Sequence, residues 1–250
     1  MLTNSIIETK KAYNASIDQK AFEIAQKYVS DKKITIEILR AINELYQSAK
    51  LNDYDEVNFE SAYHNPITSD VEFLIARVIY HIASFKDLYW KVLLRRQKNK
   101  CAPDIRIEHE GNTLFVIEIK VKAGWIQQIF SDKRVEHDKE RFEKGLIDKS
   151  PERKIIELKE QFEKYQNAFD IKKNKIFVLI ASLSNVHRKK YLDANIKTYK
   201  DTFLRNSNLP EQNLVVLSDN LDIDLSSEKD DSLYRPSEDF ETMLKIMFSR

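Results

Sequence analysis

Two short runs of alternating polarity, separated by a polar tetrapeptide, constrain this chain more than any other stretch. Pro103-Asp104-Ile105-Arg106-Ile107-Glu108 and Leu114-Phe115-Val116-Ile117-Glu118-Ile119-Lys120-Val121-Lys122 repeat with period two, the pattern of half-buried strands. His109-Glu110-Gly111-Asn112 between them reads as a hairpin turn. Phe115, Ile117, Ile119 and Val121 fall on one face of the second strand, and Leu114, Val116, Glu118, Lys120 and Lys122 on the other. In the first strand Ile105 and Ile107 oppose Asp104, Arg106 and Glu108. A three-residue loop, Glu110 to Asn112, pairs His109 with Thr113 and therefore Asp104 with Glu118. A two-residue loop would set Asp104 against Ile119 and bury one strand's charges, so the three-residue loop is expected. Like charges directly opposed on one sheet face are destabilising, and two such carboxylates want a cation between them. Lys120 adds an ammonium to the same face. Two acids and a lysine at one spot suit divalent-metal chemistry on a phosphate.

At 250 residues the chain accommodates one large domain, or a core with an appendage. Hydrophobic residues at 42% and charged residues at 32% fit a soluble globular protein. With only three glycines and five prolines, much helix and few tight loops are expected. The net charge of +1 does not announce a nucleic-acid binder, so any such surface must arise by local segregation. The single Cys101 excludes a disulfide framework and a cysteine-rich zinc site, and it reads as a small buried hydrophobe. The N-terminus lacks the apolar run of a signal peptide, and no stretch is long enough to span a membrane, so a cytoplasmic location is expected. Glycine-rich nucleotide loops, an H-E-x-x-H zinc motif and a G-x-S-x-G elbow are absent from the sequence.

Taken in order, residues 1–65 read as a helical N-terminal extension. Ile17, Ala21, Ile24, Ala25 and Tyr28 recur at helical spacing, as do Ile34, Ile38, Leu39, Ile42, Leu45 and Tyr46. These predict an αα-hairpin packed on or beside the core, with Asn52 to Pro66 as the connection. Val71, Leu74, Ile75, Val78, Ile79, Ile82 and Phe85 form the stripe of a further helix. Ser69 as N-cap and Glu72 three residues on would make a capping box. Leu88 to Leu94 is expected to be the first core strand, followed by the basic run Arg95-Arg96-Gln97-Lys98-Asn99-Lys100. That run reads either as a solvated loop or as a phosphate contact.

Residues 123–150 read as a charged insertion of helix and loop at the site's edge, with His137 more an exposed helix residue than a substrate contact. Pro151 opens a helix carrying Ile155, Leu158, Phe162, Tyr165 and Phe169 on one face, with Gln161 one turn before Tyr165. Ile176 to Ala181 is continuously apolar, as in an interior parallel strand. His187 to Leu204 predicts a helix and Asn213 to Leu217 a short last strand. Residues 219–250 comprise an acidic loop, read as solvated, and a helix with the stripe Phe240, Met243, Leu244 and Met247.

Pro103-Asp104 and Glu118-Ile119-Lys120, on a hairpin with a helix before it and a helix and strand after it, resemble the PD-(D/E)XK nuclease superfamily. The resemblance implies an α/β fold with a restriction-endonuclease-like αβββαβ core and mixed sheet over residues 66–218. It implies catalytic roles for Asp104, Glu118 and Lys120. Asp104, Glu118 and the backbone carbonyl of Ile119 would hold one or two Mg²⁺ ions (or Mn²⁺), with Glu72 joining through a water as the alternative to its capping role. Gln161 and Tyr165 look like the Gln-x-x-x-Tyr feature of the helicase-associated branch, which lies near the bound strand; Tyr165 as plain core is the competing reading. Arg95, Arg96 and Lys98 are the phosphate-contact candidates. The implied activity is hydrolysis of DNA phosphodiester bonds, in restriction or defence ahead of repair, with RNA not excluded and a homodimer or partner subunit plausible for duplex cutting. The alternative is a nuclease-fold module that binds nucleic acid or protein without cutting.

Overall fold

A computed structural model describes residues 2–51, 67–123, 126, 129–184, 186 and 195–249. The chain is an α/β protein. Its described elements are α1 (Leu2–Asp31), α2 (Thr35–Leu51), α3 (Thr68–Phe85), β1 (Lys91–Leu94), β2 (Ile105–His109), β3 (Asn112–Lys122), α4 (Asp132–Glu143), α5 (Pro151–Phe169), β4 (Ile176–Ser182), α6 (Ile196–Ser207), β5 (Leu214–Val216) and α7 (Asp239–Phe248). The five strands lie in the order β1-β2-β3-β4-β5. β1, β2 and β3 form an antiparallel meander. β4 adds parallel to β3, and β5 parallel to β4. A parallel neighbour requires a long crossover, which α4 and α5 provide between β3 and β4.

The sheet separates two apolar layers. On one face Ile105, Ile107, Phe115, Ile117, Ile119, Phe177 and Leu179 join the buried faces of α1, α2, α3 and α7 in a single cluster. On the other, Val116, Val178, Ile180 and Val216 pack with Leu158, Phe162 and Tyr165 of α5 and Tyr199 and Phe203 of α6. Every residue of β4 is buried, as its uninterrupted apolar run predicts.

The N-terminal helices form as their stripes predict and belong to the first cluster. α1 lies against α3, where Arg77 donates to both oxygens of Asp18 at 2.5 and 2.8 Å. The far end of the chain closes on α2. Glu241 of α7 accepts from the backbone N–H groups of Ile34 and Thr35, each at 2.8 Å, and from the Thr35 hydroxyl at 2.6 Å. Donors at a helix start have no intrahelical partners, and here a buried carboxylate from 206 residues away satisfies them. The acidic loop is less solvated than its composition suggests: Ile223 and Leu225 are buried. The Asn43 side chain donates to the carbonyls of Leu225 and Glu228. Among the described residues no helix is long and apolar enough to cross a membrane.

Four local expectations are corrected. The first core strand starts at Lys91, because Leu88 still takes part in the helix-terminating turn by donating to the carbonyl of Ala83. Ser69 does not cap α3. The helix starts two residues earlier than that cap implies, at Thr68, with Ile67 at the cap position and no side-chain capping bond, and Glu72 is buried rather than folded back on the helix end. The sixth helix begins at Ile196, behind an Asn195 cap, rather than at His187; residues 187–194 lie outside the described residues, as does the expected connection 52–66.

The hairpin is the fourth correction. Its loop has two residues, not three: His109 pairs with Asn112, and Glu110 and Gly111 take φ of 50° and 80°, the signs that a type I′ turn demands. A bulge then restores the favoured register. Glu108 faces Thr113 but Ile107 faces Phe115, so Leu114 is the extra residue. Leu114 consequently packs with the first cluster beside Phe115, rather than with Val116 on the opposite face. Beyond the bulge Ile105 pairs with Ile117, and one step further along this register Asp104 comes level with Glu118.

α5 carries Tyr165 into the second layer, and its start is fixed by Ser150, whose side chain accepts from Arg153 N at 3.2 Å ahead of Pro151. Ser150→Ala is expected to cost about 0.5–1 kcal/mol, read as a lower midpoint in urea at unchanged slope. No change would mean that packing alone sets the helix start.

Candidate active site

The site lies where β1 ends, β2 begins and β3 passes its midpoint. Asp104 reaches across the hairpin to accept from the backbone N–H of Ile119 at 2.7 Å. Glu118 and Lys120 project from β3 on the α5 side. Lys120 Nζ lies 3.2 Å from Glu118 Oε2, 3.7 Å from Asp104 Oδ2 and 3.2 Å from the carbonyl oxygen of Ile119. Three oxygens, two from carboxylates and one from the backbone, therefore converge on one cationic nitrogen.

Burial pushes the Glu118 carboxyl up, the neighbouring Asp104 charge adds to the rise, and the Lys120 ammonium opposes it. For Lys120 burial acts downward, but the Glu118 and Asp104 carboxylates outweigh it and hold the ammonium above the ordinary lysine value. In this pair the lysine stays charged, and Glu118 is the partner that takes up a proton first.

The second oxygen of Glu118 is engaged from α5. The Tyr165 hydroxyl donates to Glu118 Oε1, and Gln161 Nε2 donates to the Tyr165 hydroxyl at 2.8 Å. Tyr165 is thus both core and site: its ring is buried and stacks on Phe169 at 5.9 Å, while its hydroxyl holds the acid. Burial, followed by the Glu118 charge, pushes the Tyr165 pKa well above its ordinary value, so the hydroxyl remains a donor.

Glu72 reaches the same end of the sheet from α3, in the opposite layer. Arg95 binds it in a two-pronged ion pair, Nε to Oε2 at 2.5 Å and Nη2 to Oε1 at 2.7 Å. Burial raises the Glu72 pKa, Arg95 opposes the rise, and the charges of Asp104 and Lys120 act on it as well. Arg95 adopts φ of 47°, in the left-handed region, which carries a cost for a residue with a Cβ. That backbone turn directs the chain out of β1 while its N–H stays bonded to the Asp104 carbonyl at 2.9 Å. Nothing in the spacing of Glu72 and Arg95 announces their pairing. The available signal is an acid set inside the apolar stripe of a helix.

The remaining sequence candidates scatter. Arg96 is exposed and contributes its carbonyl to Arg106 Nη1 at 3.3 Å. Lys98 approaches Glu108 at 3.7 Å, four residues along β2 from Asp104 and so about 13 Å away at strand spacing. His137 meets Asp138 at 3.3 Å on α4. Cys101 is half-buried against the second cluster.

Among the described residues no group of three or more His, Cys, Asp or Glu side chains is arranged to hold a metal ion. The oxygens that do converge comprise two carboxylates and a carbonyl, a hard donor set of the kind Mg²⁺ takes while keeping several waters. They already surround a cation, the Lys120 ammonium, so the donors fit such an ion provided that the ammonium gives way to it. No protein-family model, curated protein or solved structure matches the chain.

Proposed function

We propose that this chain is a Mg²⁺-dependent nuclease that hydrolyses DNA phosphodiester bonds, built on a restriction-endonuclease-like core of the PD-(D/E)XK superfamily. The observation that carries the reading is the convergence of Asp104 Oδ2, Glu118 Oε2 and the Ile119 carbonyl on one cationic point. The succession α3, β1, β2, β3, α5, β4 supports it, because it has the αβββαβ order and puts the acids and lysine on the central hairpin. Asp104, Glu118 and the Ile119 carbonyl would hold the ion, with Glu72 reaching it through a water. Once bound, Mg²⁺ supplies Lewis-acid polarisation of the phosphate and a lowered pKa for a coordinated water.

The chain's own groups do the rest. Lys120 stabilises negative charge that develops on the phosphate oxygens in the transition state. Tyr165, itself held by Gln161, fixes the orientation of Glu118. Arg95 is the basic residue of the 95–100 run that the fold brings beside the acids, and with Nε and Nη2 on Glu72 its Nη1 is the donor for a neighbouring phosphate. Cutting both strands of a duplex takes two such sites, so a homodimer or partner subunit accompanies that version of the activity. Restriction or defence ranks ahead of repair as its setting.

A second reading, a nucleic-acid or protein-binding module without catalysis, draws on the same ammonium: Lys120 already neutralises both acids. Incubating a supercoiled plasmid and a single-stranded circle with the protein in Mg²⁺, Mn²⁺ or EDTA separates the two. Nicking that EDTA stops and Asp104→Ala abolishes is the expected result, and the preferred circle reports the strandedness. Absence of cleavage in every metal, with binding retained, would leave the second reading.

A further inference from the structure

The connection from β1 to β2 is a second tight hairpin, docked on the C-terminal half of α5. Lys98 and Cys101 exchange both backbone hydrogen bonds, Lys98 N to Cys101 O at 2.9 Å and Cys101 N to Lys98 O at 3.0 Å. Asn99 and Lys100 form its two-residue tip with φ of 51° and 62°, the signs of a type I′ turn. Three contacts clamp it. The buried Arg106 donates from Nη1 to the Arg96 carbonyl at 3.3 Å, and its guanidinium carbon lies 5.1 Å from the centre of the Phe169 ring. Asn99 Nδ2 donates to the Ala168 carbonyl at 2.7 Å. The Cys101 thiol lies 3.9 Å from the Lys164 carbonyl. The buried face of α5 is formed by Leu158, Phe162, Tyr165 and Phe169. Lys164 is off that face and exposed, next to the carbonyl that receives the turn.

The molecule's two tight hairpin turns differ in one telling position. The β2–β3 turn fills its second tip position with Gly111, at φ of 80°, the residue for which left-handed backbone costs least. The β1–β2 turn fills the same position with Lys100. There the lysine carries the steric cost of a Cβ in the left-handed region. Packing does not offset that cost, because Lys100 is exposed. Among the described residues neither Lys100 nor Lys164 has an ion-pair partner, whereas Lys98 of the same turn approaches Glu108 at 3.7 Å. Two unneutralised cations thus stand on adjoining, rigidly held segments, an arrangement that suits a polyanion. They are also close to the acids. Asp104 follows Lys100 by four residues, which at about 3.5 Å per residue is a span of at most roughly 14 Å. That is about four nucleotides of a B-form strand at roughly 3.4 Å each.

We propose that Lys100, at the tip of the β1–β2 turn, and Lys164, on the adjoining flank of α5, bind the phosphodiester backbone of the substrate strand a few nucleotides from the scissile phosphate. This rests on the nuclease reading and adds to it the direction in which the strand leaves the acids. Asn99 and Arg106 are positioning residues: they hold the turn against α5 and touch no phosphate themselves.

The test is fluorescence anisotropy of a labelled oligonucleotide, single-stranded and duplex, in EDTA over a series of KCl concentrations. It compares the parent with Lys100→Gly, with Lys100→Gly/Lys164→Gln and, as the control, with Lys10→Gln at an exposed position of α1. Loss of two phosphate contacts is expected to weaken binding about tenfold at low salt and to flatten the slope of log K against log salt by about 1.5. Lys100→Gly alone should give about half of that flattening. It should also melt at or above the parent's Tm, because glycine relieves the left-handed tip. The control is expected to change neither affinity nor slope. If the double variant keeps the parent's affinity and slope, the phosphate site is wrong. A lower Tm for Lys100→Gly with an unaltered slope also overturns it, since the lysine then serves only the turn. Cleavage that Asp104→Ala abolishes, in a protein whose double variant binds as the parent does, discards the phosphate site and keeps the nuclease. A weakened double variant, in a protein whose cleavage is indifferent to Asp104→Ala, keeps the phosphate site and discards the catalytic one. A parent that binds neither oligonucleotide overturns both.

Discussion

Replacing Lys120 by alanine is expected to lower metal-dependent strand cleavage by about 10²–10³-fold, the usual cost of removing one preorganised donor aimed at transition-state charge. The same change should alter the resting protein in a way that exposes the metal site. Without the ammonium, Glu118 and Asp104 face each other across the hairpin with no cation between them. Removing one partner of a buried ion pair costs about 3–5 kcal/mol; Lys120 is a quarter exposed, so about 2 kcal/mol is the expected loss at neutral pH.

Two dependences follow. Millimolar Mg²⁺ or Mn²⁺ should raise the Tm of the variant more than that of the parent, since the ion replaces the lost charge and binding to the folded state stabilises it. The deficit should also shrink on acidification. The folded-state pKa of Glu118 is raised above its ordinary 4.5, and more so once Lys120 is gone. As pH falls through that raised value the folded protein takes up a proton that the unfolded chain still lacks, and the fold gains stability until about 4.5 is reached. Lys120 in the parent has the complementary sign. Its contribution is complete below 10.5 and disappears only as pH rises through its own elevated pKa. Thermal melts from pH 5 to 8, with and without metal, read the metal dependence and the Glu118 dependence, while the parent's Lys120 contribution stays constant across that range. A variant that cuts as fast as the parent removes Lys120 from the chemistry. A Tm indifferent to divalent ions in both proteins removes the metal.

The central hairpin was legible because β-strand periodicity is short-range. Two alternating runs fix which side chains share a face, and the cost of opposing charges to apolar groups selects the register. The path to that register was not legible. A two-residue turn plus a bulge at Leu114 gives the same pairing of Ile105 with Ile117 as a three-residue loop would give, and periodicity beyond the turn cannot distinguish them. The buried β4 and the stripes of α2, α5 and α7 were legible for the same reason, since burial imposes a pattern on neighbours in sequence. What escaped depends on groups distant in the chain. Glu241 closing the start of α2 and Arg95 on Glu72 are side-chain choices that any charged surface residue would resemble in sequence. Capping chemistry misled for a related reason. Ser69 and Glu72 have the spacing of a capping box, but Arg95 offers Glu72 a stronger partner than a helix N–H.

The Glu72–Arg95 pair should show the largest coupling of any two residues around the site. Glu72 is buried, with its side chain 2% exposed, while Arg95 remains about half exposed. Arg95→Ala leaves an uncompensated carboxylate inside the protein and is expected to cost about 2 kcal/mol at neutral pH, below the full value for a buried pair because water already screens the guanidinium. Glu72→Gln should cost less, since it takes the charge out of the interior and keeps a hydrogen-bonding group in place. The double variant should then be more stable than Arg95→Ala alone, with a coupling of about 1–2 kcal/mol in a double-mutant cycle. The raised pKa of Glu72 gives this a pH signature: the penalty of Arg95→Ala should fade as pH falls through the raised folded-state value and vanish below the ordinary glutamate value of 4.5, where the carboxyl is neutral in both folded and unfolded states.

Kinetics assign the two residues separate roles. If Glu72 supports the ion through a water, Glu72→Gln raises the Mg²⁺ concentration needed for half-maximal cleavage by about tenfold, as loss of an outer-shell metal partner does, with little change in KM for DNA. If Arg95 offers Nη1 to a phosphate, Arg95→Ala raises KM at saturating metal. Additive stabilities in the cycle would mean that the ion pair is decorative. An unaltered metal requirement in Glu72→Gln would confine Glu72 to the fold, with Asp104, Glu118 and the Ile119 carbonyl left as the ion's protein donors.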